Sequence, residues 1–246
     1  LEEEEKNEVK ALDTGKSVVF KVKEDYLPYP LVRTGTVGDG SCFFHSVLTC
    51  ISKEYRELDD DKKRETVKKL RGKMADALDM DTWEKFGHGI LAFTKVVPRI
   101  VKYVKKNLPK AYPVFEKAQA ETDTVPDFCQ KVLTSLDGGY FEGDEDITVN
   151  EILRQFREKI LEEFKKDLMK CNVWVGHDAG SVDIFEYISD YLNIDIYIVK
   201  DTTRMPYIQG VDCNIRYKNR KSLLILWVGD SHYEALGVKD GKIVKR

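Results

Sequence analysis

Gly38-Asp39-Gly40-Ser41-Cys42-Phe43-Phe44-His45-Ser46-Val47 places a cysteine between a glycine-flanked turn and residues able to begin a helix. Backbone N–H groups at a helix start have no intrahelical partner and carry partial positive charge. A thiol set there is drawn toward the thiolate, the form that attacks carbonyl carbon. Taken alone, Cys42 reads equally as a small hydrophobe packed into the first turn of a helix. Phe43, Val47 and Leu48 predict the buried stripe of that helix. A group able to take the thiol's proton separates the two readings.

Four histidines are available. His45 lies three residues beyond Cys42 on the same predicted helix, poorly placed to reach across a cleft. His88 sits between glycines, and His177 follows Trp174 in a polar loop. His232 stands at the start of a strand, after the turn Gly229-Asp230-Ser231 and beside the apolar run Leu223-Leu224-Ile225-Leu226-Trp227-Val228. Strand ends are rigid places from which to present a reacting group. Glu234 shares a strand face with His232, because side chains alternate along a strand. A carboxylate there predicts a hold on the imidazole's second nitrogen, which fixes its tautomer. Cysteine, histidine and acid are the parts of a thiol hydrolase. Each member alone has a plainer reading: a satisfied sheet histidine, a solvent-facing edge glutamate.

Composition narrows the field. The chain has 246 residues, enough to bury a sizeable core, with 42% hydrophobic and 11% aromatic residues. A formal charge of −3 gives no reason to expect nucleic acid or an anionic membrane as partner. No apolar run approaches the ~20 residues of a membrane span, and Leu1-Glu2-Glu3-Glu4-Glu5 is unlike a signal peptide. The five cysteines, Cys42, Cys50, Cys129, Cys171 and Cys213, contain no Cys-x-x-Cys pair. That spacing argues against a disulfide framework or a zinc site and for a reducing compartment such as the cytoplasm.

Residues 1–15 are acidic and lysine-rich and predict a mobile lead-in to a single domain over 16–246. Ser17 to Val22 alternates as a strand should. Residues 53–136 read as mainly helical, within a helical region extending to about 146, and Val67, Leu70, Met74 and Leu78 mark one amphipathic helix. The run Asp59-Asp60-Asp61-Lys62-Lys63-Arg64 predicts a solvated helix start. Pro98 should kink, or restart, a helix between Leu91 and Leu108. Thr148-Val149-Asn150-Glu151 has capping-box form, followed by Ile152, Phe156, Ile160, Phe164 and Leu168 four apart. Residues 181–192 predict a helix, 194–199 a strand, 223–228 a central strand, and His232 to Val238 another, with a hairpin at Lys239-Asp240-Gly241-Lys242. Helices in the middle and strands at the end give an α+β class.

Three blocks then carry a resemblance. Asp39-Gly40-Ser41-Cys42-Phe43-Phe44, followed by His45-Ser46-Val47, resembles the Asp-Gly-x-Cys-(Leu/Phe)-(Phe/Tyr)-x-(Ala/Ser) block of the ovarian tumour (OTU) cysteine peptidases. Trp174-x-Gly176 with the helix and strand that follow is similar to that family's middle block. Ser231-His232-Tyr233-Glu234 is similar to its closing His-(Tyr/Phe)-(Asp/Asn/Glu) block. The resemblance spans residues 34–240, with specific motifs at about thirty positions. It implies a papain-like fold with a small mixed or antiparallel sheet, and hydrolysis of ubiquitin conjugates by a monomer without metal or organic cofactor. It implies Cys42 as nucleophile, His232 as general base and Glu234 as the residue orienting His232. Asp39 would support the turn whose backbone N–H groups, near Asp39, Gly40 and Cys42, form the oxyanion hole, or would itself join the triad. The expected partners are ubiquitin or polyubiquitin chains. Another ubiquitin-like modifier is the alternative substrate, and an inactive ubiquitin-binding module the alternative class. Glu234 is longer than the family's commoner Asp or Asn. The helical region 53–146 exceeds a minimal member, which would suit a divergent viral enzyme.

Overall fold

A computed structural model gives the structure of the protein and describes residues 9–20, 31–82, 93–123, 125–135, 182–206, 218–229, 231–238 and ten positions between 154 and 170. His88, the Trp174-x-Gly176 block, His177 and the expected hairpin at 239–242 lie outside the described residues.

The strands form a six-stranded sheet in the order β1-β2-β6-β5-β3-β4. They are β1 (Ser17–Phe20), β2 (Leu31–Thr34), β3 (Ile194–Lys200), β4 (Met205–Pro206), β5 (Lys221–Val228) and β6 (His232–Val238). β1 with β2, β2 with β6, β6 with β5 and β3 with β4 are antiparallel, while β3 and β5 run parallel, Ile198 opposite Ile225. β5 is apolar almost throughout because it is flanked by strands on both edges and its last four residues are all buried. One face holds Phe20, Leu31, Val199, Leu226, Val228 and Leu236 as a single cluster. Helix α1 (Cys42–Ile51) packs over β5 and β6.

The predicted stripe of α1 is only part of what it buries. Phe43, Phe44 and Val47 are fully buried, Leu48 is half-buried, and Cys42, His45 and Ser46 are buried too. Each large apolar side chain removed from water there contributes roughly 1.5–3 kcal/mol. The second wall comes from α3 (Asp60–Ala77), which follows the short α2 (Lys53–Arg56). On α3 the expected stripe holds at Val67, Met74 and, just beyond its end, Leu78, but Leu70 is half-buried and Arg71 is fully buried in its place. The charged run opens α3 as predicted, Asp59 accepting the Lys62 N–H at 2.8 Å.

The chain divides into two compact units, one of Leu1–Ala75, Leu168–His177 and Ile184–Arg246, the other of Asp76–Asp167 and Asp178–Asp183. In the second, α4 (Phe93–Asn107), α5 (Tyr112–Glu121) and α6 (Val125–Ser135) pack on one another, with Phe115 and Phe128 edge-to-face at 6.0 Å. Pro98 neither breaks nor restarts α4; it sits on the exposed side, where a missing hydrogen bond costs least. Described positions between 154 and 169 are helical, with Leu161 and Leu168 buried. α7 (Val182–Leu192) leads into β3.

Residues 9–15, expected to belong to a mobile lead-in, are tied to the sheet. Gly15 N–H donates to Gly35 O and Gly35 N–H to Lys16 O, both at 2.9 Å. A Cβ at Gly35 would lie 2.3 Å from Asp13 O, so only glycine admits this crossing.

Candidate active site at the start of helix α1

The turn before α1 is built from short-range polar contacts. Gly40 has φ +81°, the left-handed region that glycine enters without a Cβ clash. Asp39 Oδ1 accepts the Ser41 N–H at 2.9 Å, a side-chain turn that fixes the chain's entry into the helix. Ser41 is the N-cap, yet its side chain makes no cap hydrogen bond. Its hydroxyl instead accepts from Arg71 Nη1 at 2.7 Å. Arg71 Nε donates to Leu168 O at 2.6 Å, and the guanidinium lies 5.0 Å from the Phe44 ring centroid. A buried cation thus braces the residue that precedes Cys42. Its charge masked it in the sequence; its four-residue spacing from Val67 was the available signal.

An aromatic column sets the helix start against β6. Phe43 meets Tyr233 edge-to-face at 5.4 Å, and Tyr233 stacks on Trp227 at 6.3 Å. Thr36 Oγ1 donates to Tyr233 O at 2.6 Å, tying the segment after β2 to the same residue. Helix α1, which opens on Cys42, therefore packs against β6, which opens on His232. Gly38 comes close to the same histidine, since a Cβ there would sit 3.9 Å from His232 Cε1. The turn that leads into Cys42 thus runs beside His232.

The turn carrying His232 is anchored from β3. Asp201, buried at the end of that strand, accepts the Thr202 N–H at 2.6 Å and the Gly229 N–H at 2.7 Å. Gly229 has φ +55°. Removing the carboxylate in Asp201→Ala orphans the Gly229 N–H and is expected to cost about 1–3 kcal/mol. A chemical denaturation midpoint unchanged from wild type would count against this anchor.

Electrostatics correct the first expectation. Burial pushes the Cys42 thiol up to about 11, and the Asp39 carboxylate adds to the rise, against the backbone of Tyr233, Phe43 and Cys42, which favours the thiolate. Cys42 is only 2% exposed, so loss of water outweighs the helix start. Burial, then the charges of Arg33 and His45, push the His232 imidazole below its ordinary value. At rest the Cys42 thiol and the His232 imidazole are each neutral. Two pH dependences follow. Alkylation of Cys42 by iodoacetamide, which needs thiolate, should keep rising from pH 7 toward 10; a plateau below pH 8 would contradict it. Turnover needs neutral His232, so its acid limb should fall below the ordinary histidine value of about 6.5.

Glu234 is held by a buried ion pair. Its Oε2 accepts from Arg33 Nε at 2.8 Å, and its Oε1 accepts from Arg33 Nη2 at 3.1 Å and from the Leu12 N–H at 2.7 Å. Both side chains are fully buried. Arg33 Nη2 also donates to Lys10 O. The carboxylate expected to orient His232 joins β6 to β2 and to the 9–16 segment. His232 Nε2 is buried without a hydrogen-bond partner among the described residues. Asp39, the other candidate for the triad, faces His45 and not an open imidazole: His45 Nε2 lies 3.1 and 3.2 Å from its two oxygens.

The fold and site define an α+β protein in which a helix that opens on Cys42 packs against the strand that opens on His232. No family model matches the sequence, and no curated protein matches it. Several solved structures are similar, among them two of OTU domains. One is an ovarian tumour (OTU) domain in complex with ubiquitin, at 14% identity and TM-score 0.39, covering 96% of this chain and 84% of that one. The other is the viral OTU domain protease from Farallon virus, at 17% identity and TM-score 0.41, covering 85% of each chain. Both are distant similarities, and the functional reading below rests on the chain's own residues.

Proposed function

We propose that the protein is a cysteine peptidase acting on ubiquitin conjugates, with a papain-like arrangement of nucleophile helix and histidine strand. One observation carries the reading: a buried cysteine opens a helix packed on β6, the strand that begins with His232, after a turn held by Asp39. As the Cys42 sulfur attacks the carbonyl of the substrate's terminal glycine, its proton passes to His232. Because the thiol rests neutral, this transfer accompanies attack. The C–N bond then breaks, the imidazolium gives its proton to the departing lysine amine, and a thioester remains on Cys42. Water, deprotonated by His232, releases the carboxylate and restores the thiol. The turn from Asp39 to Cys42 supplies backbone N–H donors to the tetrahedral oxyanion, each such donor being worth about 2.7–4 kcal/mol of barrier.

The test is turnover of fluorogenic C-terminal amides of ubiquitin and of ubiquitin-like modifiers. Release from the ubiquitin amide above background supports the reading, and release only from a different modifier reassigns the substrate. A second reading, an inactive ubiquitin-binding module, is favoured by the neutral thiol and the unpartnered His232 Nε2. Binding without release from any amide would select it.

A further inference from the structure

His45 was set aside as a base for Cys42, yet it is 1% exposed and fully engaged. Its Nε2 faces both Asp39 oxygens, at 3.1 and 3.2 Å, and its Nδ1 meets the Tyr55 hydroxyl. Tyr55 is itself buried at 3% and held by the start of α2, where Ser52 Oγ accepts its N–H at 3.0 Å. Burial, then the Asp39 and Asp60 carboxylates, push the Tyr55 phenol up, so it keeps its proton. A proton on Nε2 lets the imidazole donate to Asp39, while Nδ1 is taken up by the Tyr55 hydroxyl. Burial opposes the Asp39 charge, but His45, the Ser41 N–H and Arg64 together hold its carboxyl below the ordinary range. The result is a continuous chain of contacts from Tyr55 through His45 and Asp39 to the Ser41 N–H.

We propose that His45, backed by Tyr55, is a positioning residue for the reaction at Cys42. It locks the Asp39 carboxylate onto the Ser41 N–H and so fixes the oxyanion turn from Asp39 to Cys42. The catalytic part of this rests on the peptidase reading above. Without the imidazole, Asp39 is free to rotate toward solvent or Arg64, which stands 3.8 Å away. The Ser41 N–H then loses its acceptor and the turn loses its single conformation. The larger influences on the thiol, its burial and the backbone of Tyr233 and Phe43, stay as they are, and the Asp39 charge is the smallest of them. An effect on the oxyanion turn with none on the thiol is what separates this role from general destabilisation.

The test uses His45→Ala, Tyr55→Phe and His45→Gln, whose amide N–H keeps a donor for Asp39. In His45→Ala, kcat on the ubiquitin amide should fall by about 10²-fold, the scale of one lost oxyanion donor. KM and the rate of Cys42 alkylation by iodoacetamide should each stay within about two-fold of wild type, since neither uses an oxyanion donor. His45→Gln should recover most of kcat, and Tyr55→Phe should lie between. Amide hydrogen exchange at Ser41, read by NMR, should speed about ten-fold in His45→Ala. Unchanged Ser41 exchange in the folded variant, or alkylation falling in step with kcat, would overturn the proposal. Should His45→Ala fail to fold, Tyr55→Phe and His45→Gln give the same readings. If wild type releases nothing from any modifier amide, the peptidase reading fails, and the Ser41 exchange alone decides the positioning.

Discussion

Cys42→Ala is expected to lose turnover of the ubiquitin amide by at least about 10³-fold while keeping the wild-type melting temperature. Among the described residues, the other cysteine on the same helix does not share the position of Cys42. Cys50 lies two turns further along α1, with its thiol toward Leu224 O at 3.6 Å. The alanine variant leaves the turn untouched, because Asp39, Ser41 and Arg71 make their contacts without the sulfur. It loses one small buried side chain at the end of a helix, a modest cost beside the aromatic column that holds it. Residual turnover near wild type would move the nucleophile elsewhere. A collapse of stability would make Cys42 a packing residue, the plainer of its two sequence readings.

Glu234→Ala should destabilise the fold by about 3–5 kcal/mol, the usual cost of stripping one partner from a buried ion pair. For a chain of this size that is a fall in melting temperature on the order of 10 °C. Arg33 would be left charged and fully buried, and the Leu12 N–H would lose its acceptor. Replacing both members with apolar residues of similar volume, Arg33→Met with Glu234→Leu, should restore much of the loss. That double variant also settles what the carboxylate does for His232. Turnover retained in a stable double variant means Glu234 serves the sheet alone. A Glu234→Ala protein that melts like wild type but turns over slowly would instead return it to the role of orienting His232.

The strands and the helix start were legible because they follow local rules. Alternation marked β1, the apolar run marked β5, and Asp39-Gly40 before Cys42 marked a turn feeding a helix. What escaped were charged residues that the fold buries. Arg71 occupies a core position of α3, and Arg33 with Glu234 sits inside the sheet packing; a polarity pattern assigns all three to water. Their partners, Leu168, Ser41 and Leu12, are 97, 30 and 222 residues away from the side chains they meet. Only the tertiary structure brings such pairs together. The thiol's protonation was misjudged for a related reason. A helix start is visible in sequence, but the depth at which it is buried is not, and depth decided the sign. His45 was set aside as a base on helix geometry, while its link to Asp39 depended on where the turn folds back.

The most direct measurement is incubation with ubiquitin carrying a C-terminal electrophile, followed by intact mass and peptide mapping. The account predicts a single adduct on Cys42, slowed in His232→Ala and absent in Cys42→Ala. A folded wild-type protein that forms no adduct, or one that forms it on another cysteine, would contradict it.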